Sequence, residues 1–337
     1  MDKIAFILEN TFLYWNSIIL MLAAAAAICM FLFLYLRERN TATAASVLIP
    51  LAVILSILIS RLIHWYCRAD AYESLKAALT VYTGGSYALM GVFAGCILAA
   101  CILRLLGVVK NLPFTFDCMS LAGALGISVG RLASLYTTAD RGPLVENLRL
   151  FPIVYPVSNA VTGVVEWRLA TFMLQSICTG AIFLALIVFY MKGQKGKTRK
   201  VKDGDTTMLF LSSYCASQVV LDSTRYDSLF MRSNGFISIV QILCAVALVV
   251  NMIIFSVRLV KNKGFKWAYL GLWIPFAAMT GGAGFMEYWV QRHGDQALFS
   301  YSVMSICLVG LVVLTCVTRK QAGAFPTRKN MVENAKK

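Results

Sequence analysis

Apolar residues fall in long, nearly unbroken runs rather than in the alternation of half-buried strands or the narrow stripe of a soluble helix. Nine runs stand out, at about 13–36, 44–63, 86–108, 115–136, 169–191, 207–224, 235–257, 267–288 and 297–318. Each comes close to the roughly 20 residues that a helix needs to cross a bilayer. In hydrocarbon a helix satisfies its own backbone groups, so this pattern predicts an all-α polytopic membrane protein with about nine transmembrane helices. The sixth run turns polar in its second half, with Gln218 and Asp222. Between the second and third runs, ADAYESLKAALTVY (69–82) reads as a short interfacial helix.

Composition agrees. Of 337 residues 59% are hydrophobic and 14% charged, with a mean hydropathy of +0.73, where soluble domains carry about 25% charged residues. The net charge of +15 is explained by basic cytoplasmic loops, without nucleic acid as a partner. Most Lys and Arg collect at Arg37–Arg39, Arg104–Lys110, Lys192–Lys202, Arg258–Lys266 and the tail from Arg319. Alternate loops therefore face inward, which predicts the N-terminus outside and the C-terminus inside. The ten cysteines are scattered singly without a CxxC, and the two histidines are His64 and His293. That spacing predicts neither a metal site nor a disulfide framework. The start, MDKIAFILENTFLYW, has no basic n-region or small-residue cleavage site, so no removable signal peptide is expected. His64, Trp65 and Tyr66 read as part of an aromatic belt, and Gly84-Gly85 as a tight turn.

The stretch FDCMSLAGALGISVGRLASLY (Phe116–Tyr136) carries the candidate chemistry. It reads as a helix opened by Asp117, rich in glycine and alanine, and closed by Gly130-Arg131. Small residues allow helices to approach closely in lipid. An arginine at the membrane boundary is costly enough to mark a functional site, or else anchors to lipid phosphates. Charges from three outward segments accompany it: Arg61 with the loop 64–85, Asp140 in the loop 137–168, and Arg225 with Asp227 in the loop 225–234. The bland alternative pairs Arg61 and Arg131 with Asp117 and makes Asp222 and Arg225 a structural i,i+3 pair.

The run Phe116–Tyr136 resembles the signature region of the prolipoprotein diacylglyceryl transferase family, a small-residue helix ending in Gly-Arg-x-Gly-Asn-Phe. Here the motif reads Gly130-Arg131-Leu132-Ala133-Ser134-Leu135. ISRLIHWYC (Ile59–Cys67), TGGSYALMGVFAG (Thr83–Gly95), WRLATFMLQ (Trp167–Gln175), and QVVLDSTRYD (Gln218–Asp227) followed by GFISIVQILC (Gly235–Cys244) resemble further family segments in the same order. The resemblance covers about residues 10–260. Several polar positions of the family are replaced: a histidine falls on Leu89, an asparagine on Ser134, a glutamate on Gln175, an arginine on Gln218, and another glutamate on Ala139 or Asp140.

The resemblance implies a seven-helix membrane domain at 1–260; the apolar pattern adds two transmembrane helices at 261–320 that the resemblance does not explain, and the basic residues a cytoplasmic tail at 321–337. The resemblance also implies transfer of the diacylglyceryl group of phosphatidylglycerol, or another anionic phospholipid, to a cysteine thiol of lipobox-containing preprolipoproteins. The reaction takes place at the outer face of a bacterial cytoplasmic membrane and needs no cofactor. A guanidinium suits the donor phosphate, and the thiol needs a proton acceptor or a strong positive field. The residues expected to act are Arg131, Arg225, Asp222 and Asp140, with Arg61, Gly130, Ser134, Tyr87, Gln175 and Gln218 lining the substrate site. Asp140, Tyr87 and the phosphate itself are the candidate proton acceptors. If the sixth helix continues through Arg225, that arginine shares a face with Asp222 and Gln218 and substitutes for the charge missing at Gln218. The alternative implied by the replaced positions is a descendant that binds lipid or a partner without catalysis.

Overall fold

The computed structural model describes residues 4–8, 11–37, 41–80, 86–146, 149–158, 163–194, 202–231, 234–294 and 296–323. Among them are ten α-helices: α1 (Trp15–Arg37), α2 (Ala42–Cys67), α3 (Leu75–Leu79), α4 (Leu89–Leu105), α5 (Leu112–Arg131), α6 (Thr171–Gln194), α7 (Asp205–Ser223), α8 (Ile239–Lys263), α9 (Trp273–His293) and α10 (Ala297–Ala322). Each apolar run coincides with one long helix, and the chain is a polytopic all-α membrane protein. Six helices are long and apolar enough to cross a membrane: α1, α2, α5 with the turn after it, α6, α8 and α10. Of the others, α4 is apolar but has 17 residues, while polar side chains dilute α7 and α9. The Gly84-Gly85 turn, most of the basic tract after Lys192 and the tail after Gly323 lie outside the described residues.

Three antiparallel hairpins, which the apolar pattern does not predict, accompany the helices, one before α1 and two between helices: β1 (Ile4–Leu8) with β2 (Thr11–Tyr14), β3 (Val154–Ser158) with β4 (Val165–Leu169), and β5 (Phe230–Met231) with β6 (Asn234–Ser238). The segment expected as one helix at 69–82 is instead a 3-10 turn at Ala69–Ala71 and the short α3. Ser74, in extended conformation between them, caps α3 by accepting from the amide of Ala77.

The chain forms two compact units. The first comprises Met1–Val188 and Thr224–Val240, and the second Phe189–Ser223 and Gln241–Lys337. In the first, α1 packs along α5 and α2 along α4. A close backbone approach lies between α2 and α4, where a Cβ on Gly91 would sit 2.2 Å from Ser60 Cα, and one on Gly95 2.4 Å from the Ser56 nitrogen. The serines also bond across: Ser60 Oγ donates to the Ala88 carbonyl at 2.7 Å and Ser56 Oγ to that of Val92 at 3.1 Å. Glycine against serine thus gives both backbone proximity and interhelical hydrogen bonds, the two forces available without a hydrophobic effect. The glycines of α5 do less. Gly126 and Gly130 face Ala27 and Ala23 of α1, and Gly123 faces open space.

In the second unit α10 packs against α9 and α7. A buried carboxylate, Asp205 at the start of α7, holds Arg258 of α8 at 2.5 Å and Arg319 of α10 at 3.3 Å. Asn251 of α8 donates to the Met208 carbonyl of α7 at 2.7 Å. These polar ties fix helices whose surfaces are otherwise interchangeable in lipid.

Candidate functional site

The end of α5 builds the site. The helix starts at Leu112, with Asn111 accepting from the amide of Phe114 as N-cap. Asp117 therefore does not open it, as expected from the sequence, but lies inside it at 1% exposure. Asn111 wins because its short carbonyl reaches the free amides of the first turn, and Pro113 fits there without needing a donor. After Arg131 the backbone tightens into a 3-10 turn, Leu132–Tyr136, which buries Ala133 and Ser134. The chain then reverses through Asp140, whose φ of 56° lies in the left-handed region.

Asp140 is 8% exposed and receives converging donors. Its Oδ1 accepts from Arg131 Nη1 at 2.8 Å and from Arg225 Nη2 at 2.7 Å. Its Oδ2 accepts from the Ser134 hydroxyl at 2.9 Å. Its amide donates to Asp227 Oδ2 at 3.0 Å, and Asp227 Oδ1 in turn accepts from Arg225 at 3.0 and 3.1 Å. Burial alone would raise the Asp140 carboxyl, but the Arg131 and Arg225 guanidiniums and the Ser134 hydrogen bond outweigh it and hold the group down at about 2.

The next two residues fasten this turn. Arg141, 3% exposed, donates from Nη2 to the carbonyls of Ser134 and Thr137 at 2.7 and 2.8 Å. Its guanidinium carbon lies 4.7 Å from the centre of the Tyr155 ring and 4.3 Å from that of Phe172. Stacking on two rings stabilises a charge that burial strips of water. The Arg141 carbonyl accepts from the Tyr226 amide at 2.7 Å, tying the turn to the segment that carries Arg225. Gly142 leaves no room for a side chain: a Cβ would stand 2.7 Å from Leu169 Cβ and 3.0 Å from the Thr224 carbonyl. Thr171 and Thr224 close the junction at 3.2 Å. Three guanidiniums against two carboxylates leave the cluster with an excess positive charge, so it favours an anion.

The expected residues divide as follows. Arg131, Ser134, Asp140 and Arg225 come together, and Gly130 precedes them on the α1-facing side of α5. Gln175, fully buried on α6, belongs to the same unit, whereas Gln218 and Asp222 are buried on α7 in the other. The shared helix face expected for Gln218, Asp222 and Arg225 does not form, because α7 ends at Ser223. Arg225 is instead in a loop, paired with Asp140 and Asp227.

Arg61 lies elsewhere in the first unit. It is 1% exposed, donating from Nε to the Ala78 carbonyl at 2.9 Å and from Nη2 to that of Thr80 at 3.1 Å. Tyr72 and Tyr87 face it at 5.2 and 5.0 Å. It therefore shapes the segment between α2 and α4. His64 is buried too, rather than standing in an interfacial belt; its Nδ1 is 2.8 Å from the Tyr72 hydroxyl.

Sequence reasoning did not single out Arg141, and it named Asp227 only as one of the outward charges. The signal available for Arg141 is its position in an Arg-Gly-Pro string directly after the signature turn. No group of three or more His, Cys, Asp or Glu able to hold a metal occurs among the described residues.

No curated protein matches the chain significantly. The family profile described as prolipoprotein diacylglyceryl transferase matches residues 3–257, which include the whole arginine–aspartate cluster and exclude α9 and α10. The chain belongs to the prolipoprotein diacylglyceryl transferase family.

Proposed function

We propose that the protein transfers the diacylglyceryl group of phosphatidylglycerol to the cysteine thiol of a preprolipoprotein at the outer face of a bacterial cytoplasmic membrane, with its N-terminus outside and its C-terminus inside. Family membership supports a transferase of this type. The observation that carries the reading is the convergence of Arg131 and Arg225, from two distant segments, on one oxygen of buried Asp140. Two planar guanidiniums held side by side match the oxygens of a phosphodiester better than point charges do. The carboxylate keeps both forks aligned before the lipid arrives, so little reorganisation is needed as charge develops on the departing phosphate.

In the reaction the cysteine thiolate attacks the glycerol carbon that bears the phosphate. A carbon–sulfur bond forms, the carbon–oxygen bond breaks, and glycerol phosphate leaves with the electron pair. Arg131 and Arg225 stabilise that leaving group, and Ser134 holds Asp140 from behind. A carboxyl at about 2 is too weak a base to take a thiol proton at neutral pH. Asp140 therefore acts as counter-ion and aligner rather than as the proton acceptor expected from the sequence.

The test uses purified protein, phosphatidylglycerol labelled in its acyl chains and a lipobox peptide. Wild type should label the peptide. Arg131→Ala and Arg225→Ala should each lower the rate by roughly 10²-fold or more, the usual loss when one donor to a developing charge is removed. Arg131→Lys should not restore it, because lysine lacks the fork. Phospholipid retained by wild type in native mass spectrometry without any peptide labelling would replace transfer with the binding-only reading.

A further inference from the structure

We propose that the acceptor polypeptide docks as an added strand on an open backbone edge at Leu144, with the residues after its cysteine running outward from the Asp140 clamp; the inference rests on the transfer reading above. Directly after Asp140 and Arg141 the chain straightens and joins the β3–β4 hairpin as a third strand. Gly142 donates its amide to the Leu169 carbonyl at 2.8 Å, Leu169 donates back to the Pro143 carbonyl at 3.0 Å, and Val145 donates to that of Trp167 at 2.8 Å. Leu144 stands opposite Arg168 in antiparallel register. In that register the bonds of its neighbours point at β4, and the N–H and C=O of Leu144 point the other way. Neither has a partner among the described residues, and Leu144 is 57% exposed. An edge with an unpaired donor and acceptor is a template for one more extended chain.

The occupant follows from where this edge begins. Leu144 is four residues from Asp140, at most about 14 Å of chain, and Asp140 holds Arg131 and Arg225. A polypeptide with its cysteine at those arginines therefore brings about its third to fifth following residue to Leu144. Starting from the clamp, as residues 140–145 do, it lies beside them in parallel. Backbone pairing requires no particular side chain, which suits acceptors defined by the lipobox and not by what comes after it. Beside the edge lies a shallow cavity of about 310 Å³, lined by Leu144, Val145, Glu146, Arg149 and Trp167. The Arg149 guanidinium is 5.4 Å from the Trp167 ring centre. This mixed apolar and charged seat receives side chains of the docked strand.

The test uses the peptide-labelling assay with lipobox peptides that are N-methylated at one position after the cysteine at a time. N-methylation removes a backbone donor and keeps the side chain. It should raise the peptide KM by about tenfold at a single position near the fourth residue, the cost of one backbone hydrogen bond, and by less than about twofold at the positions next to it, whose amides point away from the edge. In the protein, Leu144→Pro removes the donor and keeps the ties to β4, which run through Gly142, Pro143 and Val145; proline is compatible with an open edge. It should also raise the peptide KM by about tenfold and leave KM for phosphatidylglycerol unchanged. Leu150→Ala, exposed elsewhere in the same loop, should leave both unchanged.

Equal KM for every N-methylated peptide overturns the docking, and because that series uses the wild-type protein it decides even where a variant is poorly inserted. A rise in Leu150→Ala as large as in Leu144→Pro also overturns it, in favour of a general apolar contact of this loop with the membrane. Wild type that labels no peptide removes the transfer reading, whereas wild type that labels methylated and unmethylated peptides alike removes the docking alone.

Discussion

Asp140 shows how much one side chain can set. A non-glycine residue at φ 56° costs of order 1 kcal/mol or more, offset here by two ion pairs and two hydrogen bonds. Its carboxyl sits at about 2 in the folded protein against an ordinary 3.8. A depressed folded value means that the stabilisation is present above the ordinary value and is lost as pH falls from about 4 towards 2. It amounts to about 2 kcal/mol. Acid titration of unfolding should therefore show this loss in wild type and not in Asp140→Asn, which should start less stable at neutral pH. Identical acid profiles would mean that the clamp does not form. Arg131 and Asp140 were legible in the sequence because a charge beside an apolar run is conspicuous. Arg141 was not, because its meaning comes from rings and carbonyls that only the fold brings near.

Helices carry the next level. The apolar runs located every long helix, since the bilayer imposes a length on each one. Their ends were less legible. Asn111, not Asp117, starts α5, and α7 stops at Ser223 before it can present Arg225. Apolar content says little about caps, and nothing about the three hairpins, whose strands are short. Small residues were read as the packing face of α5, yet the described glycines that meet a neighbouring helix's backbone most closely are Gly91 and Gly95, where α4 meets α2. Gly91→Ala should therefore destabilise the purified protein by about 1–3 kcal/mol, because the new methyl meets Ser60 backbone rather than a movable side chain. Gly123→Ala should be neutral or stabilising, by up to about 1 kcal/mol, from helix propensity in open space. Equal thermal midpoints for both variants would show that the α2–α4 seam is not close-packed.

At the scale of the molecule, the basic loops predict which side each connection faces. In a cysteine-free background, Val164→Cys should react with an impermeant maleimide from outside. Lys195→Cys and Lys329→Cys should react only after the membrane is opened. Val164 suits the purpose because it is 61% exposed, whereas Gly142, in the same connection, is packed against Leu169 and Thr224. Reaction of residue 164 from the cytoplasm alone would invert the topology.

The path of the chain between the two units has a further consequence, in the order of synthesis. The chain leaves the first unit after Val188 and rejoins it at Thr224. Asp140 and Arg131 are thus made well before Arg225, with all of α7 in between. At about 5–20 residues per second this leaves several seconds in which Asp140 has one arginine instead of two. During that interval the nascent protein holds an incomplete cluster, and all of α7 must be made before the cluster can close. The arginine–aspartate clamp is therefore assembled late, and a chain ended within α7 would have six of its helices and an incomplete clamp.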